Sequence, residues 1–230
     1  MKLSIGPIMQ HQIERNIDHL CSEFTGQFDR PQIEVVMDDS MQRVLDTATV
    51  PDFVPLMAYR FTRERLNAVK RAQGHKADGA WDVVFVSLSG GGRGQIAAAL
   101  TTLLSDNQVS VHSAGTTVQG QIDPGVRTVI AELGVDADQA FARPVTDEVL
   151  HGADVIVTMG HSVGVIDLPP AVRHEDWRIG DPSDAPTDEI RRVRADIEYR
   201  VRALLADLGV PTTDHKNAHR TSDDRAIPIS

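Results

Sequence analysis

Val83-Val84-Phe85-Val86-Ser87-Leu88-Ser89-Gly90-Gly91-Gly92-Arg93-Gly94 is the stretch whose reading decides the fold. Val83 to Val86 are apolar and mostly β-branched, and read as a buried strand. Ser87 to Gly94 are small and glycine-rich, with a single arginine. Ile96, Ala97, Ala98, Ala99, Leu100, Leu103 and Leu104 then read as a well-packed helix. Strand, glycine loop and helix is the layout of an oxyanion cradle. Successive backbone N–H groups line the loop, the helix N-terminus adds partial positive charge, and Arg93 closes the ring with a bidentate fork. A flexible turn with no ligand is the alternative for Gly90 to Gly92, and the flanking strand and helix argue against it. The loop lacks the Gly-Lys-Ser/Thr ending of an ATP-binding loop and the spacing of a dinucleotide fingerprint.

The rest of the composition bounds the setting. The chain has 230 residues, enough for one large or two small domains, and 41% are apolar. Aromatic residues are only 4%, so Leu, Val, Ile and Ala must fill the core. A net charge of −10 argues against a nucleic-acid partner, which would select a basic surface. No apolar run approaches membrane-spanning length, and the N-terminus lacks a signal peptide's apolar core. The single cysteine, Cys21, excludes an intramolecular disulfide and cannot build a cysteine-based metal site alone. A cytoplasmic protein without membrane, metal or cofactor is the expectation.

Residues 1–75 read as all-helical. Ile13, Ile17, Leu20, Cys21 and Phe24 share one helical face. Pro31 sits in the first turn of a second helix with Ile33, Val36, Met37, Met41, Val44 and Leu45 inward. Pro51 starts a third segment containing Phe53, Leu56, Met57, Leu66 and Val69. Together these make a small three-helix bundle. Cys21 reads as a core residue, with a redox role as the alternative. Arg60, Arg63, Arg65, Lys70, Arg71 and Lys76 form a basic stretch, read either as a solvated helix face or as a partner surface. Residues 76–81 are a glycine-punctuated linker.

Residues 82–209 alternate strands and helices. Val109 to His112 is a short strand and Ser113 to Thr116 a polar turn. Pro124 opens a helix that Gly134 stops, and Thr146 caps a short one. Asp154 to Met159 is another buried strand, Arg173 to Trp177 a weaker one, and Glu189 to Leu208 a long amphipathic helix. This alternation predicts an α/β fold, a doubly wound parallel sheet, with its site at the strands' carboxyl ends. Residues 210–230 form a polar tail.

Ser87, five residues, then Arg93 resembles the loop of the low-molecular-weight protein tyrosine phosphatases and of the arsenate reductases built on the same fold. Other segments carry the same likeness: Ser113-Ala114-Gly115-Thr116, Ala153 to Gly160, and Trp177 followed after three residues by Asp181-Pro182. The helical N-terminal extension is similar to one found before actinobacterial arsenate reductases. The resemblance implies an oxyanion site of Leu88, Ser89, Gly90, Gly91, Gly92, Arg93 and Gly94, with catalytic positions at Ser87, Arg93 and Asp181. Asp184 is a second candidate acid. Phosphate, sulfate or arsenate is the implied ligand.

The departures from that pattern share a direction. Ser87 stands where the family has its nucleophilic cysteine, Gly90 where asparagine is usual, and Gly94 where a serine hydroxyl supports the thiolate. The segment His161-Ser162-Val163-Gly164-Val165 has no thiol, where related arsenate reductases carry redox cysteines. A cysteine-to-serine trapping substitution would explain Ser87 alone; the other departures favour natural divergence. A cysteine in such a loop reaches a pKa of roughly 3.5–7.5, whereas a serine needs an adjacent base. His112 and His161 both follow strands and read as rim residues; a Ser87–His161 pair is conceivable. The expectation is an oxyanion-binding, thiol-less, catalytically impaired relative with a binding or regulatory role. The alternatives are a hydrolase using Ser87 with Arg93 and Asp181, or a helical domain that dimerises or docks a protein partner.

Overall fold

The computed structural model describes residues 6–46, 53–75, 81–118, 122–135, 142–160 and 166–213. Pro51, linker residues 76–80, the stretch from His161 to Val165 and the tail beyond residue 213 lie outside the described residues.

Three helices come first: α1 (Pro7–Glu23), α2 (Arg30–Leu45) and α3 (Val54–Ala72). The start of α2 is specified locally. Asp29 accepts the Gln32 backbone N–H, the Gln32 side chain accepts that of Asp29, and proline occupies the first turn. Ile17, Leu20, Phe24, Ile33, Met37, Met41, Val44, Phe61 and Leu66 bury together between the three helices. Cys21 packs at the edge of this cluster as a half-buried residue.

The remaining elements are β1 (Trp81–Ser87), α4 (Arg93–Leu104), β2 (Val109–Gly115), α5 (Pro124–Ala131), α6 (Asp147–Gly152), β3 (Val155–Met159), β4 (Arg173–Trp177) and α7 (Thr187–Asp207). The strands form one sheet in the order β2-β1-β3-β4, with every pairing parallel. β1 is therefore interior, and Ser87 to Gly92 leave its carboxyl end as expected. Two boundaries differ from the sequence reading. β1 runs seven residues, and β2 continues through Ser113, Ala114 and Gly115, which pair with Phe85, Val86 and Ser87. A parallel neighbour bonds the backbone whatever the side-chain polarity, so the small, polar end of β2 is strand and not turn. Thr146 stands at the N-cap of α6 but makes no side-chain cap hydrogen bond.

Alternation along β1 sorts the core into two layers. Val83 and Phe85 face α4, α5 and α7, meeting Ile96, Leu100, Val126, Ile130, Ile197 and Val201. Phe85 also packs on Trp177 of β4, with ring centroids 5.6 Å apart. Val84 and Val86 face the other way and meet Val149, Leu150, Ile156 and Ala68. Ala68 belongs to α3, so the third helix forms part of the second layer over the sheet. Gly152 makes this approach close: a Cβ there would stand 2.6 Å from the Ala68 carbonyl oxygen.

Two arginines of the basic stretch, Arg65 and Arg71, turn inward, where a solvated face was one of the two readings, and Lys76 lies outside the described residues. Arg65 is buried and donates to Asp39 at 2.6 Å, Ser40 at 3.0 Å and Glu148 of α6 at 2.8 Å. Arg71 reaches Asp82 of β1 at 2.9 Å and the Gly152 carbonyl at 3.3 Å. Arg63 pairs with Glu23 at 2.7 Å. Sequence periodicity cannot show this, because the acidic partners lie up to 83 residues away.

Burial alone would raise the Glu148 carboxyl. Hydrogen bonding from Arg65 and from its own backbone, with the Arg65 charge, outweighs that and holds it below its ordinary value. A carboxyl lowered in the folded state stabilises the fold above its unfolded pKa of about 4.3, and that contribution is lost as pH falls through the folded value. Urea midpoints measured from about pH 6 down to about pH 3 should therefore fall more steeply for the wild-type protein than for Glu148→Gln.

Candidate oxyanion site

The loop between β1 and α4 is held by short-range bonds on every side. Ser87 closes β1 at 2% exposure, and its Oγ accepts the Gly90 N–H at 3.2 Å. The Ser87 and Leu88 carbonyls accept N–H groups of Thr116 at 3.1 Å and Thr117 at 2.7 Å. Gly90 has φ +67°, and a Cβ on it would stand 2.8 Å from the Gly115 backbone nitrogen. Gly115 is just as crowded, since a Cβ there would meet the Gly90 nitrogen at 2.7 Å. Two backbones touch here with no room for a side chain between them. The buried Gln95 side chain donates to the Gly90 carbonyl at 3.0 Å and ties the loop to α4. Gly90 is thus required for a fixed conformation, and the flexible turn offered as the alternative does not describe it.

Gly92 is the N-cap of α4, and Arg93 is its first residue. The first N–H groups of a helix have no acceptor inside it. Among the described residues, the backbone N–H groups of Gly92, Arg93 and Gly94 meet no protein acceptor. Such groups suit an anion, helped by the dipole of α4.

Arg93 is 7% exposed. Its Nη1 donates to the Ile179 carbonyl at 2.9 Å and its Nη2 to Asp181 at 3.3 Å. Gly160, at φ +92°, lies directly against the guanidinium, so any Cβ there would overlap it. Asp181 is half exposed, and its other oxygen accepts the Ser183 N–H at 3.1 Å and the Ser183 hydroxyl at 2.7 Å. Pro182 covers Gly92, with its Cγ 3.3 Å from where a Cβ would stand.

The structure thus brings Ser87, Gly90, Gly92, Arg93 and Asp181 to one place, with Leu88 and Ser89 in the same loop. Asp184 is turned to a different neighbour: its backbone N–H donates to Asp123 at the start of α5. His112 is not a rim residue. It lies inside β2 opposite Val84, and its ring sits between Glu64 of α3 at 2.9 Å and Asp82 at 3.1 Å. His161 lies outside the described residues. Among the described residues no histidine or carboxylate hydrogen-bonds Ser87 Oγ.

Several contributors escaped sequence reading. Gln95 is signalled only by being polar at the start of an apolar helix. Gly160 is signalled by following a strand in a parallel sheet, where the carboxyl ends converge. Ser113 occupies space beside Gly94: a Cβ on Gly94 would stand 2.5 Å from Ser113 Oγ. A serine at position 94 would therefore require Ser113 to move.

Comparison with known proteins agrees with this geometry. A family model described as low molecular weight phosphotyrosine protein phosphatase matches residues 82–213. A second, described as the N-terminal domain of protein-tyrosine-phosphatase-like proteins, matches residues 13–70. The chain belongs to the low molecular weight phosphotyrosine protein phosphatase family. Within it, the chain is similar to arsenate reductases. The solved thioredoxin-dependent arsenate reductase of Corynebacterium glutamicum matches with a TM-score of 0.76 and 29% identity, covering 86% of this chain and 97% of that one. A structure described as an arsenate reductase in the phosphate binding state has a TM-score of 0.50 and 25% identity, covering 56% and 98%. The arsenate reductase of Halalkalibacterium halodurans is 28% identical over 130 residues, 53% of this chain and 93% of its own length. Arsenate reductase 2 of Staphylococcus epidermidis is 25% identical over 124 residues, 53% and 94% of the two chains.

Because Gly90 combines a left-handed backbone with a backbone neighbour at van der Waals limit, Gly90→Ala should cost about 1–2 kcal/mol for the backbone alone, more for the contact. Urea unfolding of the two proteins measures it. The same substitution in the open turn at Gly134 meets nothing within 4 Å and should show only the backbone part.

Proposed function

We propose that this chain is an oxyanion-binding, thiol-less member of its family, with Ser87 in the nucleophile position and a binding or regulatory role in place of turnover. The observation that supports it most is the pairing of a rigid loop with an unactivated hydroxyl. The N–H groups of Gly92, Arg93 and Gly94 meet no protein acceptor among the described residues, Arg93 itself lies beside them, and among those residues Ser87 Oγ has the Gly90 N–H as its partner. Anion binding needs only donors and positive potential. Displacement at phosphorus needs in addition a base to take the serine proton. Arsenate reduction needs a thiol to carry the electrons, and Cys21 sits on α1 in the helical core. Phosphate, sulfate and arsenate are the ligands this chemistry fits. The phosphate-bound state named for one relative supports the same ligand class.

One observation favours a second reading. Asp181 lies within 3.3 Å of Arg93, where a group handing a proton to a leaving oxygen would stand. In that reading the protein is a phosphatase-like hydrolase with Ser87 attacking, Arg93 holding the phosphoryl oxygens and Asp181 as acid. A role of the helices in dimerisation or partner docking is a third. No helix among the described residues is long and apolar enough to cross a membrane.

Calorimetry with phosphate, sulfate and arsenate, run beside an aryl phosphate assay, separates the first two readings. Wild type should bind the anions and show negligible turnover; turnover matching that of a Ser87→Cys variant would establish the hydrolase instead. Arg93→Ala should weaken phosphate binding by about 1.5–3 kcal/mol, the range for a charge-assisted hydrogen bond. An unchanged dissociation constant in that variant would remove Arg93 from the site. Ser87→Cys should recover part of the phosphatase activity at neutral pH, because the loop favours a thiolate. The recovery stays partial, since Gly94 adds no hydroxyl.

A further inference from the structure

Glu64 lies on α3, buried, and far from the loop in sequence. One carboxylate oxygen takes the Nδ1 of His112 at 2.9 Å, and the other takes the Arg143 guanidinium. Burial and the nearby Arg60 push the Arg143 pKa down to about 10, still well above neutrality, so the guanidinium stays charged. Arg143 in turn is fixed at its backbone. Its carbonyl accepts the Gly115 N–H at 2.8 Å, and Val145 donates to the Gly115 carbonyl at 3.0 Å. Pro144 thereby lies beside Gly115 as a parallel bridge. Gly115 is the residue against which Ser89 and Gly90 rest with no space for a side chain. The next two residues, Thr116 and Thr117, donate to the carbonyls of Ser87 and Leu88.

The chain of contacts is continuous: α3 holds Arg143, the segment of Arg143 holds the end of β2, and the end of β2 holds the loop. We propose that Glu64 is a positioning residue for the oxyanion loop, acting through Arg143 and Gly115, so that the helical region is part of the loop's support. This rests on the oxyanion reading for its functional consequence, although the positioning itself does not. The reasoning is steric. Gly90 and Gly115 are in backbone contact, so a shift of the 143–145 segment moves Gly115, and the loop must follow or lose its place.

The test uses the full chain and inorganic phosphate. Glu64→Gln keeps the shape and removes the charge; Arg143→Lys keeps the charge and shortens the fork. For each, calorimetry gives the phosphate dissociation constant, urea unfolding gives stability, and nitrogen-15 NMR gives the amide shifts of Ser89, Gly90, Gly115, Thr116 and Thr117. Glu64→Gln should weaken phosphate by about five-fold or more while remaining folded, and should shift those five amides. Arg143→Lys should fall between it and wild type. An unchanged dissociation constant, with shifts confined to α3 and β2 around His112, would overturn the proposal, because a purely structural ion pair moves only the unfolding midpoint. If Glu64→Gln does not fold, Arg143→Lys decides on the same readings. If wild type itself fails to bind phosphate, the oxyanion reading falls, and the amide shifts alone decide whether Glu64 positions the loop.

Discussion

The close approach of Gly90 to Gly115 is the constraint from which the rest of the site follows. Two backbones in direct contact leave no freedom for either partner: the loop must take a left-handed residue at Gly90, and β2 must end in a residue without a side chain. Parallel pairing of β1 with β2 brings these two glycines level, since Ser87 stands opposite Gly115. Gln95 and Thr117 then bond the loop's carbonyls, the N–H groups of Gly90 and Gly91 go to the hydroxyls of Ser87 and Ser89, and those of Gly92, Arg93 and Gly94 meet no protein acceptor among the described residues.

The second feature is the charged layer between α3 and the sheet domain. Arg65, Arg71, Glu64, Asp82, His112 and Arg143 lie between α3, the ends of β1 and β2, and the segment leading into α6. Burying so many ions is costly unless each is paired, and removing one partner costs more than the pair supplies. The layer is therefore weak evidence for stability and better evidence for registration. It places α3 in one position over Val84 and Val86, where a purely apolar contact such as Ala68 on Gly152 would tolerate sliding. The pairings of Arg65 with Glu148, Arg71 with Asp82 and Glu64 with both His112 and Arg143 specify an angle and a height, and α3 consequently joins the second layer of the core.

At the loop itself, chemistry and geometry separate. The geometry suits an oxyanion: a helix start, an arginine against Gly160, and an aspartate at the rim. Among the described residues no histidine or carboxylate bonds the Ser87 hydroxyl, whose Oγ takes the Gly90 N–H. A thiol in the same place would ionise with help from the same amides. Ser113 lies beside Gly94, so the space a hydroxyl at position 94 would use is partly taken.

Much was legible in the residues alone. The β-branched run before a glycine loop, the alternation of strand and helix, and the helix-boundary residues Pro31, Pro124 and Gly134 are local signals, and local backbone preference decides them. That Arg93 and Asp181, 88 residues apart, come together was legible through spacing and resemblance. The continuation of β2 through Ser113 to Gly115 was not, because pairing with β1 supplies its hydrogen bonds from residues about 28 positions away. The fate of the basic stretch was not, because a charge carries no mark of its partner, and Asp82, Glu148 and Gly152 reach α3 only after the sheet forms. His112 looked like a rim residue because it ends an apolar run; register places it in mid-strand among carboxylates. Sequence determined which residues could make an oxyanion loop. Only the tertiary contacts decided that Gly90 and Gly115 meet backbone to backbone and that α3 packs over the sheet, because both depend on backbones and ions meeting across long stretches of chain.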